Sequence, residues 1–536
     1  MSGLSRASPS WRGVIGCATV RRSHWGWGYE DERPSAGELR AAAAGLAAHL
    51  GFGSAEPELP VPLEAVELPA PRVAPPPGLP LSQDPHARAL HAHGRSYLDV
   101  VRGFRGRFPH PPDAVATPRD EDELRAVLEW AAGADLAVIP AGGGTSVVGG
   151  IDARPGGHAG AVSVSLRAMD RVLAVEPVSR SARIQAGATG PELERQLGEH
   201  GLTLRFYPQS FELATLGGWL ATRAGGHFAT GPTHVDDLVE SIRAITATGE
   251  AWESRRLPAS GAGPSPDRLL LGSEGTLAVI TEAWMRVLPR PTERRGASVA
   301  FADFAAGAAA VRAIVQDGLR PANCRLIDAR EAALTLAGDG SAALLVLGFE
   351  SAGAPLGEQF ERAAALCRKH GGDVREGRGG AGGSWREAFL RAPYVRDTLV
   401  AMGVLSETFE SAITWDRLDA FVEQVTGATR AALGPDGLVT VRLTHAYPDG
   451  AAPYFTVLAP AERGAEVEQW DAIKAVAGDA VLAAGGTITH HHAVGRDHRR
   501  WYDAQRPDPF AAAWRAAKAA LDPHGLLNPG VLWEQA

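Results

Sequence analysis

Apolar and polar positions alternate along this chain with two periods, and each change of period marks an element. Ser35-x-x-Glu38, leading into an Ala-rich stretch that stops at Gly51, predicts a helix opened by a capping box and closed by a glycine. Asp120-x-x-Glu123, with Leu124, Val127, Leu128 and Ala131 at helical spacing, predicts a second. Thr189-x-x-Glu192, with Pro191 in the first turn and Leu193 and Leu197 on one face, predicts a third. Between them the apolar run Leu136-Ala137-Val138-Ile139 reads as a strand. Such patterns alternate up to Val287-Leu288, where Pro289-Arg290-Pro291 punctuates a boundary. From about 295, amphipathic helices near 303–317, 356–371 and 415–433 alternate with strand-like runs such as Ala343-Leu344-Leu345-Val346-Leu347. Val441 to Phe455 reads as strand, turn at Pro448-Asp449-Gly450, and returning strand. The chain closes on Leu521 to Gly530, a helix stop and turn. Alternation of this kind makes the fold α+β or α/β.

Composition narrows the class. A chain of 536 residues holds two or three domains, and 45% hydrophobic with 21% charged residues is ordinary for a soluble globular protein. A net charge of −9 without a long basic run argues against nucleic acid as a partner. Cys17, Cys324 and Cys367 have neither metal-motif nor disulfide-framework spacing, so a reducing compartment is expected. No apolar run is long enough to span a membrane. Val14-Ile15-Gly16-Cys17 has the look of a lipoprotein cleavage site, but Met1 to Gly13 is polar and contains Pro9 and Arg12, so secretion is not expected. Residues 55–80, with Pro75-Pro76-Pro77, form an extended connector, either a flexible linker or a docked segment.

Three glycine-rich turns carry the first chemistry. They are Pro140-Ala141-Gly142-Gly143-Gly144-Thr145-Ser146, Thr215-Leu216-Gly217-Gly218-Trp219 and Gly272-Ser273-Glu274-Gly275-Thr276-Leu277. Glycine lets backbone N–H groups approach an anion closely, and three such turns beside strands suggest one extended diphosphate ligand. A Rossmann fingerprint fails because its third glycine is missing, and a Walker loop fails because no Lys is present in this region. The order of the turns resembles the FAD-binding domain of the vanillyl-alcohol oxidase and p-cresol methylhydroxylase type flavoproteins, over roughly residues 105–290. The resemblance implies that Pro140 to Ser146 cradle the pyrophosphate. Pro208, Gln209 and Ser210 bring backbone to the flavin ring. Thr215, Gly217, Gly218, Thr222, Arg223, Ala224 and Gly225, with Glu274, Gly275, Thr276 and Ile280, close over the ribityl and adenine portions. Covalently flavinylated relatives carry a His where this chain has Thr145, so the FAD is expected to be noncovalent.

A second set of polar residues lies downstream. Thr489-His490-His491-His492 follows the apolar run Ala480–Ala484 and the turn Gly485-Gly486, which puts it inside the fold. It reads either as loop histidines or as a general base or hydrogen-bond donor. Tyr454 reads as a packed aromatic, Arg396 of Tyr394-Val395-Arg396-Asp397 as a surface arginine or an anion clamp, and Arg325 as emerging at a strand end. Together with Trp25-Gly26-Trp27-Gly28-Tyr29, Ser406-Glu407-Thr408-Phe409-Glu410 and Trp415-Asp416-Arg417, these segments resemble the alkyldihydroxyacetonephosphate synthase branch. That resemblance implies an enzyme that exchanges the acyl chain of acyl-dihydroxyacetone phosphate for a fatty alcohol in ether-lipid synthesis, through a flavin N5 adduct. It gives Tyr454 the removal of the C1 proton, His490, His491 and His492 the deprotonation of the alcohol, Arg396 the phosphate, and Arg325 a role required for activity.

The resemblance also implies an α+β architecture, a two-part FAD-binding domain plus a substrate cap. Its divisions are an N-terminal helical and Pro-rich segment (1–104), the FAD domain (105–292), the cap (293–484) and a C-terminal segment returning to the FAD domain (485–536). A homodimer, a cytoplasmic location and peripheral contact with the inner face of the membrane, where both lipid substrates reside, are the further expectations. The alternative is an FAD-linked 2-hydroxy-acid dehydrogenase or oxidase of the D-lactate or glycolate type. Metal-bearing members of that group show His-x-x-Gly-Asp-Gly-Asn-Leu-His and Glu-His-Gly; here Tyr454 replaces the second His and His491 the Glu, so no metal is expected.

Overall fold

The computed structural model describes residues 21–377 and 381–533, and the side chains of 381–389 stand outside that description. The Cys17 segment therefore lies outside the described residues.

Local rules account for the helices. Ser35 and Glu38 form a reciprocal capping box for Ala36–Leu50, and Gly51 closes the helix at φ 81°. The Asp120 carboxylate caps Glu121–Gly133 through Glu123 N–H. Thr189 opens Gly190–Gly198 without a side-chain cap, since Pro191 supplies the helical φ.

Two sheets share the first core. One has four strands in the order Leu81–Ser82, Ala114–Ala116, Gly160–Ser165, Leu136–Ala141, and its last three strands run parallel. The other is an antiparallel sheet of five, with Ala278–Arg286 between Ser181–Gln185 and Val239–Thr246. Leu124, Val127, Leu128, Leu193 and Leu197 all enter this core. The C-terminal segment joins it: Val138 N–H donates to Leu526 O at 2.8 Å, and Asn528 N–H donates back to Val138 O at 2.8 Å.

A third, eight-stranded antiparallel sheet begins at Glu293. Its neighbouring strands Asn323–Ile327, Leu438–Ala446, Gly450–Pro460 and, at the end of the order, Val404–Glu410 sort their side chains by the period of two. Cys324, Leu326, Val441, Leu443, Phe455, Val457 and Phe409 join a second core with Phe304–Gln316, Gly357–Lys369 and Leu418–Leu433. The alternate positions put Arg325, Arg442, Tyr454 and Glu410 on the opposite face. Arg325 is thus mid-strand rather than at a strand end, and 1% exposed.

The Pro-rich connector is laid against the protein. Glu58 and Val61 donate to Ala401 O and Phe104 O at 2.9 Å, and Arg72 grips Asp113 with two nitrogens. Among the described residues no helix is long and apolar enough to cross a membrane.

Candidate functional site

The three glycine turns meet. A Cβ on Gly142 would strike the Thr215 hydroxyl, one on Gly143 the Leu213 carbonyl, and one on Gly275 the Pro140 ring at 3.0 Å. Gly144 and Gly275 take φ of 68° and 71°, which glycine alone adopts without strain. Among the described residues, no backbone N–H from Gly143 to Ser146 donates within the protein. That row of N–H groups is an anion cradle.

Charge around the cradle points the same way. Arg22 donates to Gly143 O at 2.6 Å, while its buried Nε has no partner. Arg95, fully buried, donates its backbone N–H to Ser146 O at 2.6 Å and its guanidinium to the carbonyls of Gly26, Gly94 and Ser23. Burial, with neighbouring Arg95 and Arg167, pushes Arg22 down to about 9, and Tyr29 and Glu212 offset this only in part. Buried positive charge without a carboxylate in contact is unfavourable unless an anion arrives. These residues therefore fit a diphosphate. Neither Arg22 nor Arg95 was legible in the sequence, because they reach the loop from an N-terminal strap 121 and about 50 residues away.

The other residues expected to contact the cofactor are held by local contacts. Thr215 caps Leu216–Thr222 through Gly218 N–H, Thr222 bonds Gly218 O, and Arg223 pairs with Asp236 at 2.7 Å. Pro208 and Ser210 carbonyls close the turn onto Phe211, Leu213 and Ala214. Thr276 turns back on Ser273 O, and Ile280 is buried in the strand Ala278–Arg286. The Glu274 carboxylate is engaged by Val494 and Gly495 N–H, each at 2.9 Å, so this residue tethers the C-terminal segment.

Gly225 joins the cofactor turns to the histidines. A Cβ there would meet His491 Cβ at 3.0 Å and His445 Cε1 at 3.5 Å. The histidine run is organised by Glu410, whose side chain is fully buried. Its carboxylate accepts from His490 N–H (2.6 Å), His491 N–H (3.1 Å), His492 N–H (2.9 Å) and the Thr489 hydroxyl (2.6 Å). Burial alone would raise the Glu410 carboxyl, but the histidines and Thr489 outweigh it and hold it well below the usual range. The role of Glu410 has one local signal in the sequence, its place at the end of the alternating strand Val404–Glu410. Tyr447 was not legible in the sequence. Its hydroxyl meets His490 Nε2 and Thr233 Oγ1, both at 2.9 Å, and His234 donates to His490 O at 2.9 Å.

Tyr454 lies on the other side of the run, 4% exposed. Its ring stacks on His491 at 6.2 Å, meets His492 edge-on at 5.6 Å, and lies 4.0 Å from the Arg442 guanidinium. Arg325 donates to His227 O at 3.3 Å, and burial with nearby Arg442 lowers it to about 9. Arg396 is carried by the helix Ala381–Ala401, packed against the N-terminal strap. Asp397 accepts from Trp27 N–H at 2.7 Å, Tyr394 donates to Glu212 at 2.7 Å, and Arg396 has Arg95 and Asp397 as charged neighbours.

Burial keeps His491 near 3 and His492, His91 and His93 near 4, with His445, His490 and His498 also well below 6.5. These imidazoles are neutral and carry a lone pair, and Glu410 at 3.6–3.7 Å favours a proton on His491 or His492. They also set the acid stability. Unfolding returns each His to about 6.5, so the unfolded chain takes up protons and stability falls as pH drops from 6.5. Glu274 and Asp497, raised to about 7, and Asp397, raised to about 6, act oppositely: their contribution is present at low pH and lost as pH rises through 6–7. The histidines outnumber them. Each group contributes at most about 1.4 kcal/mol per pH unit, and the direction expected from the seven histidines against the three carboxyls is a loss of stability between pH 6.5 and 4.5. Thermal unfolding at pH 5 should come at a lower temperature than at pH 7; an equal or higher midpoint at pH 5 would contradict this.

Comparison with known proteins agrees with FAD as the cofactor. Residues 112–255 match the family described as FAD binding domain, and residues 290–532 that described as FAD linked oxidases, C-terminal domain. The chain is 31% identical over 481 residues to an alkyldihydroxyacetonephosphate synthase of Caenorhabditis elegans, covering 83% of this chain and 80% of that protein. A solved alkyldihydroxyacetonephosphate synthase superposes with a TM-score of 0.80 at 24% identity, covering 96% of this chain and 100% of that one. A p-cresol methylhydroxylase with bound substrate gives a TM-score of 0.67 at 14% identity, over 85% and 94% of the two chains. The fold is thus that of the p-cresol methylhydroxylase type flavoproteins.

Proposed function

The chain belongs to the alkyldihydroxyacetonephosphate synthase family, and from that premise we propose that it replaces the acyl group of acyl-dihydroxyacetone phosphate with a fatty alcohol, using FAD. The observation that carries the reading is Tyr454, buried against His491 and His492, with the run anchored by Glu410 and set against Gly225 of the cofactor turns.

The residues divide the work. Tyr454, as its phenolate, accepts the proton from C1 of the dihydroxyacetone moiety on its oxygen, and the acyl chain leaves as the fatty carboxylate. His490, His491 and His492, neutral and beside the Glu410 carboxylate, take the proton of the incoming alcohol. Arg325 adds positive charge in the neighbourhood of Tyr454. Arg396 holds the substrate phosphate. Burial of this ground excludes water, which would otherwise compete with the alcohol. FAD, when bound in its oxidised form, supplies an electron-poor ring that stabilises negative charge on the substrate carbon. The reading extends to the domain division at 104, 292 and 484, to a homodimer and to a cytoplasmic protein touching the membrane that holds its lipid substrates. The deciding assay incubates the protein with acyl-dihydroxyacetone phosphate and labelled fatty alcohol. Labelled ether product is expected; hydrogen peroxide or dye reduction without ether product would favour the 2-hydroxy-acid oxidoreductase.

Two further outcomes belong to this reading. The FAD is noncovalent, with Thr145 in place of a linking histidine, so acid precipitation should leave the flavin in the supernatant; flavin in the pellet would overturn it. Nitrogens of His445, His490 and His491 fall within 4.8 Å of one another, as do ligand atoms of Glu410, His491 and His492. We assign no metal to them. His445 turns Nε2 to Gly226 O at 2.9 Å, and the Glu410 carboxylate is taken by four donors. Elemental analysis should find no stoichiometric zinc; a full equivalent, with activity lost to a chelator, would revive the oxidoreductase.

A further inference from the structure

We propose that Arg442, held by Glu331, is the positioning residue of Tyr454: it fixes the ring and supplies the positive charge that the phenolate needs. The inference rests on Tyr454 being the proton acceptor.

Arg442 and Tyr454 are cross-strand partners on Leu438–Ala446 and Gly450–Pro460, so both side chains leave the sheet on the same face. The guanidinium carbon lies 4.0 Å from the ring centroid, and both residues are buried, at 9% and 4% exposure. A buried cation over an aromatic face is attracted to it, and more strongly once the ring carries negative charge.

The arginine is itself clamped. Its Nη1 pairs with Glu331, which is 1% exposed. Glu331 is fixed in turn: its N–H donates to Asp328 Oδ1 at 2.6 Å, and the Thr440 hydroxyl donates to its carboxylate at 3.3 Å. Asp328 also accepts from Val441 N–H at 2.9 Å, so the clamp is tied to the strand that carries Arg442. The buried Arg442 Nε makes no hydrogen bond with any described residue. A salt bridge serving stability alone would satisfy that donor, and a pair of well-packed apolar residues would serve as well.

The other groups facing Tyr454 leave Arg442 decisive. The strand Val404–Glu410 offers the Thr408 hydroxyl and the carboxylates of Glu407 and Glu410, which disfavour a second negative charge. The C-terminal segment offers His491 and His492, both neutral. Arg325, on Asn323–Ile327, is a second cation and is itself repelled by Arg442. Burial opposes ionisation of the phenol, and Arg442 is the largest opposing influence.

The test measures exchange of the substrate C1 hydrogen with solvent against pH, in holoenzyme. Arg442→Met alone would strand the Glu331 charge and endanger folding, so the informative variant is Arg442→Met with Glu331→Gln, which removes both charges and keeps the shapes. The rising limb of the exchange profile should move up by about one pH unit or more, and exchange at neutral pH should fall about 10-fold per unit moved, with FAD content unchanged. Arg442→Lys, which keeps the charge, should restore the limb toward its original position. A double variant with the wild-type profile would overturn the role of Arg442 while leaving Tyr454 in place, provided Tyr454→Phe abolishes exchange. Exchange that survives Tyr454→Phe would overturn both.

Discussion

Tyr454→Phe is expected to lower turnover by about 10²–10⁴-fold, the usual loss when general base catalysis is removed. The substitution keeps the ring that stacks on His491 and lies under Arg442. It removes one hydroxyl, which has Thr408 and Arg442 as side-chain neighbours. A single such hydrogen bond is worth about 1 kcal/mol, so the fold and FAD content should persist. Exchange of the C1 hydrogen with solvent should vanish in parallel, because that exchange reports proton removal directly. Arg396→Ala should behave differently. A phosphate clamp acts on ground and transition states alike, so the variant should raise KM far more than it lowers kcat. Turnover and exchange both intact in Tyr454→Phe would make Tyr454 a packed core aromatic and sink the assigned chemistry.

Gly143→Val should yield protein without flavin. The new Cβ would strike the Leu213 carbonyl and come within 2.7 Å of Ala214 Cα, both of them backbone, so neither can rotate away. The first glycine turn must then lift off the second, and the row of N–H groups from Gly143 to Ser146 loses its aim. Gly217→Val should do the same from the other turn, since its Cβ would lie 2.7 Å from Ala186 Cβ. Gly133→Val is the control: a Cβ at Gly133 meets nothing within 4 Å, and its flavin content should be that of the parent. The measurement is the flavin-to-protein absorbance ratio, with circular dichroism to confirm the fold. Full flavin occupancy in both Gly143→Val and Gly217→Val would show that the cofactor lies elsewhere.

The sequence by itself determined the elements and the chemistry that is local along the chain. Capping boxes, glycine turns and the period of two in the strands act within a few residues, so Ser35, Asp120, Gly142–Gly144 and the hairpin turn at Pro448–Gly450 were legible as written. The adjacency of His490, His491 and His492 was equally plain, as was the replacement of a relative's histidine by Tyr454. Tertiary structure decided what those groups do, because their partners are far away in sequence. Glu410 collects the histidine backbone from 80 residues upstream. Arg22 reaches Gly143 across 121 residues. Arg442 meets Tyr454 only through strand register, and Arg396 proves to stand with the N-terminal strap. A desolvated charge is tolerable only where its counter-charge or ligand arrives, and no local pattern records where the chain brings distant segments together.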